Sequence, residues 1–181
     1  MRFILSCLLL TLLTACQTAQ RPPSDVLAAV NLSPEKWASA HANTNGMQQT
    51  FFVCPEAKCG EATVVLISKG VIPPSSGVTA EELLRLKSFD NALLKEGLAL
   101  TTAKATLDPN KQVTIQTVRK INGDPVGIYI EGTTRDSTKS LAFSAEARLK
   151  GNRIVGVSAY APSARTARSS IRQVNLPALL H

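Results

Sequence analysis

The chain has 181 residues, of which 44% are hydrophobic, 4% aromatic and 18% charged; this is one domain with short appendages, not a disordered polymer. Twenty Lys and Arg against thirteen Asp and Glu leave a net charge of +7, compatible with nucleic acid, anionic lipid or acidic glycan and selective for none. Two histidines, one tryptophan and four cysteines leave few side chains for catalysis.

Met1-Arg2 is a positive start, Phe3 to Leu13 is an apolar run broken by Ser6 and Thr11, and Leu13-Thr14-Ala15 leads into Cys16. A spanning helix needs about 20 apolar residues, so this shorter run reads as the core of a signal peptide over residues 1–15. Leu13-Thr14-Ala15-Cys16 resembles the lipobox of bacterial lipoproteins. The resemblance implies a diacylglycerol on the Cys16 sulfur, cleavage before Cys16 and acylation of the new amino group. Each buried methylene contributes roughly 0.8 kcal/mol, so several acyl chains hold a protein to a membrane without a spanning helix. Gln17, rather than Asp, follows the cysteine, which under the enteric sorting rule implies the outer membrane, facing the periplasm. That address excludes nucleic acid as a partner.

Residues 16–34 then read as the lipidated cysteine and a flexible tether, carrying Arg21-Pro22-Pro23-Ser24, with at most a helical turn over Asp25 to Val30. A single domain is expected over residues 35–181. Lys36 to Ala42 and Met47 to Cys54 flank Asn45-Gly46, the best short hairpin signal. Glu61 to Lys69 carries the apolar run Val64-Val65-Leu66-Ile67 and reads as a buried strand. Thr79-Ala80-Glu81-Glu82 has the form of a capping box, and Leu83, Leu86 and Leu93 follow at helical spacing up to Gly97. One helix over Thr79–Gly97 is expected, burying that leucine stripe.

The second half alternates with period two. Val113, Ile115 and Ile121 mark a strand turned at Asn122-Gly123-Asp124-Pro125 into Val126, Ile128 and Ile130. Leu141, Phe143, Ala145, Ala147 and Leu149 face one way and Ala142, Ser144, Glu146 and Arg148 the other; Gly151-Asn152 then turns into Ile154 to Tyr160. Such alternation implies antiparallel strands with one covered and one more open face. After Pro162, the spacing of Ala164, Ala167, Ile171 and Val174 predicts a last helix packed on the sheet, ending at Leu176-Pro177.

Strands, a helix, four strands and a helix make an α+β protein whose antiparallel sheet carries a central and a C-terminal helix. From about Glu35 to Leu180 this order resembles the PsbP-like extrinsic proteins, a fold shared with a small Ran-binding nuclear import factor. The resemblance is carried by the Thr79–Gly97 helix, the Ile121 to Val126 hairpin, the Gly151 to Ile154 turn into Tyr160-Ala161-Pro162, and the closing helix. It implies a mostly non-catalytic binding or assembly role, although a fold alone does not transfer function.

In the oxidising compartment that the lipobox implies, Cys54 and Cys59 are expected to form a disulfide. Four residues separate them, unlike redox Cys-x-x-Cys motifs, and no histidine lies near in sequence to complete a zinc site. His41 is the only internal histidine, and no Gly-x-Ser-x-Gly elbow accompanies it. No two carboxylates are paired by spacing, and no phosphate loop appears. Neither a metal nor a cofactor is expected. Arg165, Arg168 and Arg172, three and four residues apart, share one face of the last helix, where an anionic lipid or acidic protein patch could meet them. The expectation is a lipid-anchored, non-catalytic envelope lipoprotein that binds or scaffolds a partner. The competing expectation is an envelope enzyme acting on glycan or lipid.

Overall fold

A computed structural model describes residues 21–44, 46–74, 77–105, 112–135 and 139–180, without the side chains of residues 99–105. The elements in chain order are α1 (Ser24–Ala29), β1 (Ala38–Thr44), β2 (Met47–Cys54), α2 (Glu56–Cys59), β3 (Thr63–Val71), α3 (Ala80–Arg85) and α4 (Asn91–Ala105). There follow β4 (Gln112–Ile121), β5 (Val126–Arg135), β6 (Ser140–Lys150), β7 (Arg153–Ala161), α5 (Ala164–Ile171) and a 3-10 helix over Leu176–Leu180. The protein is α+β, and its strands form one seven-stranded antiparallel sheet in the order β1-β2-β3-β7-β6-β5-β4. The expected strands are all present.

One side of the sheet carries the main core. The register aligns Thr50, Ile67, Val157, Glu146, Tyr129 and Arg119 in one row and Phe52, Val65, Ala159, Ser144 and Glu131 in the next. Helix α5 lies over β6, β7 and β3, and α1 packs on the 3-10 helix. Phe52, Val65, Ile67, Val155, Val157, Ala159, Ala167, Ile171, Leu176 and Leu179 form the main core with Val26, Ala29 and Leu32. The N-cap of α5 is doubly built: Ser163 Oγ accepts from the Thr166 amide, while Glu61 accepts from the Ser163 amide and hydroxyl.

The proline-bearing segment is not a tether along its whole length. Pro22, Val26, Ala29 and Leu32 are buried, and the amides of Asn31 and Asn175 donate to the Gln173 and Ala29 carbonyls, both at 2.8 Å. Val26 and Ala29, three apart on α1, make an apolar stripe that the closing leucines cover. The packed domain therefore includes Pro22 to Leu32, which precede residue 35.

The single central helix is replaced by two. Thr79 and Glu82 do form the capping box of α3. Leu86 is already extended, and Asp90 starts α4 by accepting from the amides of Ala92 and Leu93, both at 2.9 Å. An Asp followed by Asn91 competes for such a cap better than it continues a helix. The helical phase restarts, so Leu84 and Leu94 are buried, while Leu83, Leu86 and Leu93 are 39%, 51% and 47% exposed. Gly97 lies inside α4 and caps nothing. Lys120 Nζ donates to the Leu86 carbonyl at 3.0 Å, and its amide donates to Asn91 Oδ1 at 2.8 Å, tying the break to β4.

At the C-terminus, Ala167 and Ile171 are buried as expected, but Ala164 is exposed and Val174 lies beyond α5, bridged to Val30. The helix ends at Ile171, ahead of Leu176-Pro177, and Leu176, Leu179 and Leu180 of the 3-10 helix are buried. No helix among the described residues is long and apolar enough to cross a membrane.

Candidate functional site

Among the described residues, the second side of the sheet is covered only at one end. There α3 lies against β5 and β6 and α4 against β4, and Leu84, Leu94, Val118, Val126 and Leu149 make a small core. Across the rest, three rows run from β1 to β5. They are Ala38-Val53-Val64-Tyr160-Phe143-Gly132, Ala40-Phe51-Leu66-Ser158-Ala145-Ile130 and Ala42-Gln49-Ser68-Gly156-Ala147-Ile128. None of these positions carries a charge, in a chain whose formal charge is +7. Phe51, Val64, Leu66, Ile130, Phe143, Ala145 and Tyr160 are half-buried and Val53 is 44% exposed, whereas Val65, Ile67, Val155 and Ala159 on the covered side are 0–1% exposed.

Middle-strand residues this apolar are normally covered by another layer. Leu66, Ile128, Ile130, Ala145 and Ala147 floor a shallow groove of about 170 Å³. The Phe143 and Tyr160 rings contact at 6.0 Å between centroids, and the Phe143 ring lies over Gly132, where an added Cβ would stand 2.8 Å from it. That close approach is why position 132 has no side chain.

On the covered side, a polar network flanks α5. Glu131 accepts from Arg168 Nε at 2.6 Å and from the Tyr129 hydroxyl, and the Arg119 guanidinium sits 4.6 Å above the Tyr129 ring centroid. Arg168, followed by burial-opposing help from Tyr129 and Arg119, holds the Glu131 carboxyl below its ordinary range. Burial, then the hydrogen bond to Glu131, raises the Tyr129 hydroxyl, the opposite of what a tyrosine acting as a base requires. Glu146 accepts from Arg148 Nε at 2.7 Å, and Arg148 also donates to the Pro125 carbonyl.

The three arginines expected on one free face therefore have different roles. Arg168 is engaged with Glu131, Arg172 lines a cleft with Arg119 and Tyr129, and Arg165 is exposed. Helical spacing identified Arg172; Arg119 and Tyr129 carried no sequence signal, because only strand register brings β4 and β5 beside α5.

Cys54 and Cys59 form a disulfide, with Cα atoms 6.1 Å apart across the one-turn helix α2. His41 stands on the edge strand β1, its Nδ1 2.9 Å from Thr50 Oγ1, and lines none of the cavities described above. Among the described residues no group of three His, Cys, Asp or Glu could hold a metal ion. Cys16 and the signal segment lie outside the described residues.

No protein family matches the chain, and no curated protein does. Among solved structures it is similar to cyanobacterial PsbP (CyanoP) from Synechocystis sp. PCC 6803, with a TM-score of 0.51 and 15% identity, over 76% of this chain and 82% of that one. At that identity the likeness concerns the fold alone, and the fold is PsbP-like.

Proposed function

We propose that this chain is a lipid-anchored, non-catalytic envelope lipoprotein that binds a protein partner through the open side of its sheet. The observation that carries the reading is the uncharged apolar surface spanning β1 to β5. Strands about 4.8 Å apart with same-side residues about 7 Å apart put its outermost side chains roughly 24 Å apart across the six strands and roughly 14 Å apart along them. At roughly 340 Å² in projection between those side chains, it matches the larger patches of monomers, which are often functional, and is a little under half of one partner's share of a standard interface. The occupant is a protein surface that is itself apolar and uncharged. A groove of about 170 Å³ is too shallow to take an acyl chain. A second copy would bring a second charge of +6, the +7 of the whole chain less Arg2, alongside the first.

The anchor follows from Leu13-Thr14-Ala15-Cys16, and Gln17 directs the lipoprotein to the outer membrane, facing the periplasm. Acyl chains on Cys16 would hold the domain at the membrane surface. Labelling cells with radioactive palmitate tests this part: wild type takes up label and Cys16→Ser does not, and equal labelling of both contradicts the anchor.

The binding surface is tested by placing a photo-crosslinking amino acid at Val53 or Leu66, with exposed Lys95 and Arg165 as control positions, and irradiating intact cells. A discrete adduct from Val53 and Leu66 alone supports the reading. Adducts equally abundant from all four positions, or none from the sheet, contradict it. An adduct of twice the chain's own mass makes the occupant a second copy and overturns the heterologous partner.

A further inference from the structure

We infer that the cleft between the end of α5 and the β4–β5 hairpin binds a phosphomonoester, its phosphate held between Arg119 and Arg172. It lies on the opposite side of the sheet from the open apolar surface, so the two sites stand or fall separately. The cleft measures about 410 Å³ and is walled by Arg119, Asn122, Tyr129, Glu146, Ile171 and Arg172.

Charge accounting singles out two of the nearby arginines. Arg168 is paired with Glu131 and Arg148 with Glu146. Arg119 and Arg172 form no ion pair among the described residues. Two guanidiniums outside any ion pair thus line one cleft, and their forked N–H groups match phosphate oxygens. A phosphomonoester carries close to two charges at neutral pH, one for each guanidinium.

The site is also held in place. The Arg119 guanidinium lies on the Tyr129 ring, whose hydroxyl is fixed on Glu131, which is itself held by Arg168 from α5. A guanidinium fixed in this way loses little freedom when it binds. Ile171 and the tyrosine ring offer an apolar wall for the organic part of the ester, and the Asn122 amide is a further donor. Glu146 limits the negative charge the cleft tolerates, which fits one phosphate and disfavours a polyanion.

The test is calorimetric titration of the purified full-length chain at low salt with phenyl phosphate, benzenesulfonate and a short-chain, water-soluble phosphatidic acid. Wild type is expected to bind a phosphate compound and to bind the singly charged sulfonate at least about tenfold more weakly. Arg119→Gln and Arg172→Gln should each weaken phosphate binding about tenfold, and Arg165→Gln should leave it unchanged. Arg172 is exposed and unpaired, so its variant keeps the fold even if Arg119→Gln loosens Tyr129. Binding of phenyl phosphate supports the site with a free ester as its source; binding of phosphatidic acid alone supports it with a lipid headgroup as its source. Absence of binding by either, equal affinity for the sulfonate, or an Arg172→Gln variant that binds like wild type would overturn it.

Discussion

Leu66 and Ile67 are neighbours on β3 that point to opposite sides of the sheet, so truncating each reads out how each side is covered. Ile67 is 1% exposed between Thr50 and Val157, under the layer formed by α5 and the C-terminal leucines. Ile67→Ala removes buried carbon and leaves a cavity that close-packed neighbours cannot fill, which costs about 3–4 kcal/mol. Leu66 is half-buried beside Ile128 and Ile130 in the shallow groove. Leu66→Ala loses part of the transfer energy and creates no closed cavity, about 1 kcal/mol. For a domain of this size each kcal/mol shifts the melting temperature by roughly 2–4 °C. Thermal unfolding of the purified protein should therefore fall by about 6–16 °C for Ile67→Ala and about 2–4 °C for Leu66→Ala. Leu66→Lys should melt near Leu66→Ala, because a lysine stem lies along apolar surface while its ammonium stays wet. Equal losses at positions 66 and 67, or unfolding of Leu66→Lys, would show that the second side is as buried as the first and refute the argument.

Replacing Cys54 and Cys59 together by Ala removes a five-residue crosslink and should cost about 2 kcal/mol in urea unfolding; an unchanged midpoint would show the bridge to be dispensable. Gly132→Ala would place a Cβ 2.2 Å from the Thr114 carbonyl oxygen and 2.8 Å from the Phe143 ring, so a loss of about 2–3 kcal/mol is expected, and a neutral variant contradicts that packing. Several carboxyls are held low: Asp25 by Lys69, Glu81 by the Gly151 amide and Arg85, Glu131 by Arg168, and Glu61 by Ser163 and Thr166. The unfolded chain binds these protons more readily, so their contribution is complete above about pH 5 and lost as pH falls below about 4; urea midpoints that do not drop across that window would contradict it.

The strands were legible because period-two alternation and turn residues such as Asn122-Gly123 and Gly151-Asn152 are local signals. Which side of the sheet stays open was not legible. In β6, the more apolar series Phe143, Ala145 and Ala147 is half-exposed, while Ala142 and Ser144 of the polar-looking series are 8% and 1% exposed beneath α5. Burial there is decided by where α5 lands, a tertiary choice that a strand's own pattern does not encode. The helix break at Lys87–Asp90 was hidden because the leucine spacing continues through it, and only Asp90's competing hydrogen bonds mark the restart. The tether reading failed at Pro22 for a related reason: Val26 and Ala29 are too few to signal a core helix alone, and their cover comes from the last residues of the domain. Arg119 and Tyr129 meet Arg172 only through the register of β4 on β5.

The measurement that bears most directly on the central claim is the crosslinked adduct from a photo-reactive residue at Val53, compared between the wild-type background and a Leu66→Lys/Ile130→Lys background at equal abundance. Leu66 and Ile130 lie in the same cross-sheet row, and the row through Val53 is its neighbour. Two charges at the centre of an otherwise uncharged surface would have to be desolvated before a partner could seat there. If the open side binds a protein, the adduct seen in the wild-type background disappears in the doubly substituted chain. An adduct that persists undiminished would contradict the account, because the sheet's apolar surface would then not be what the partner holds.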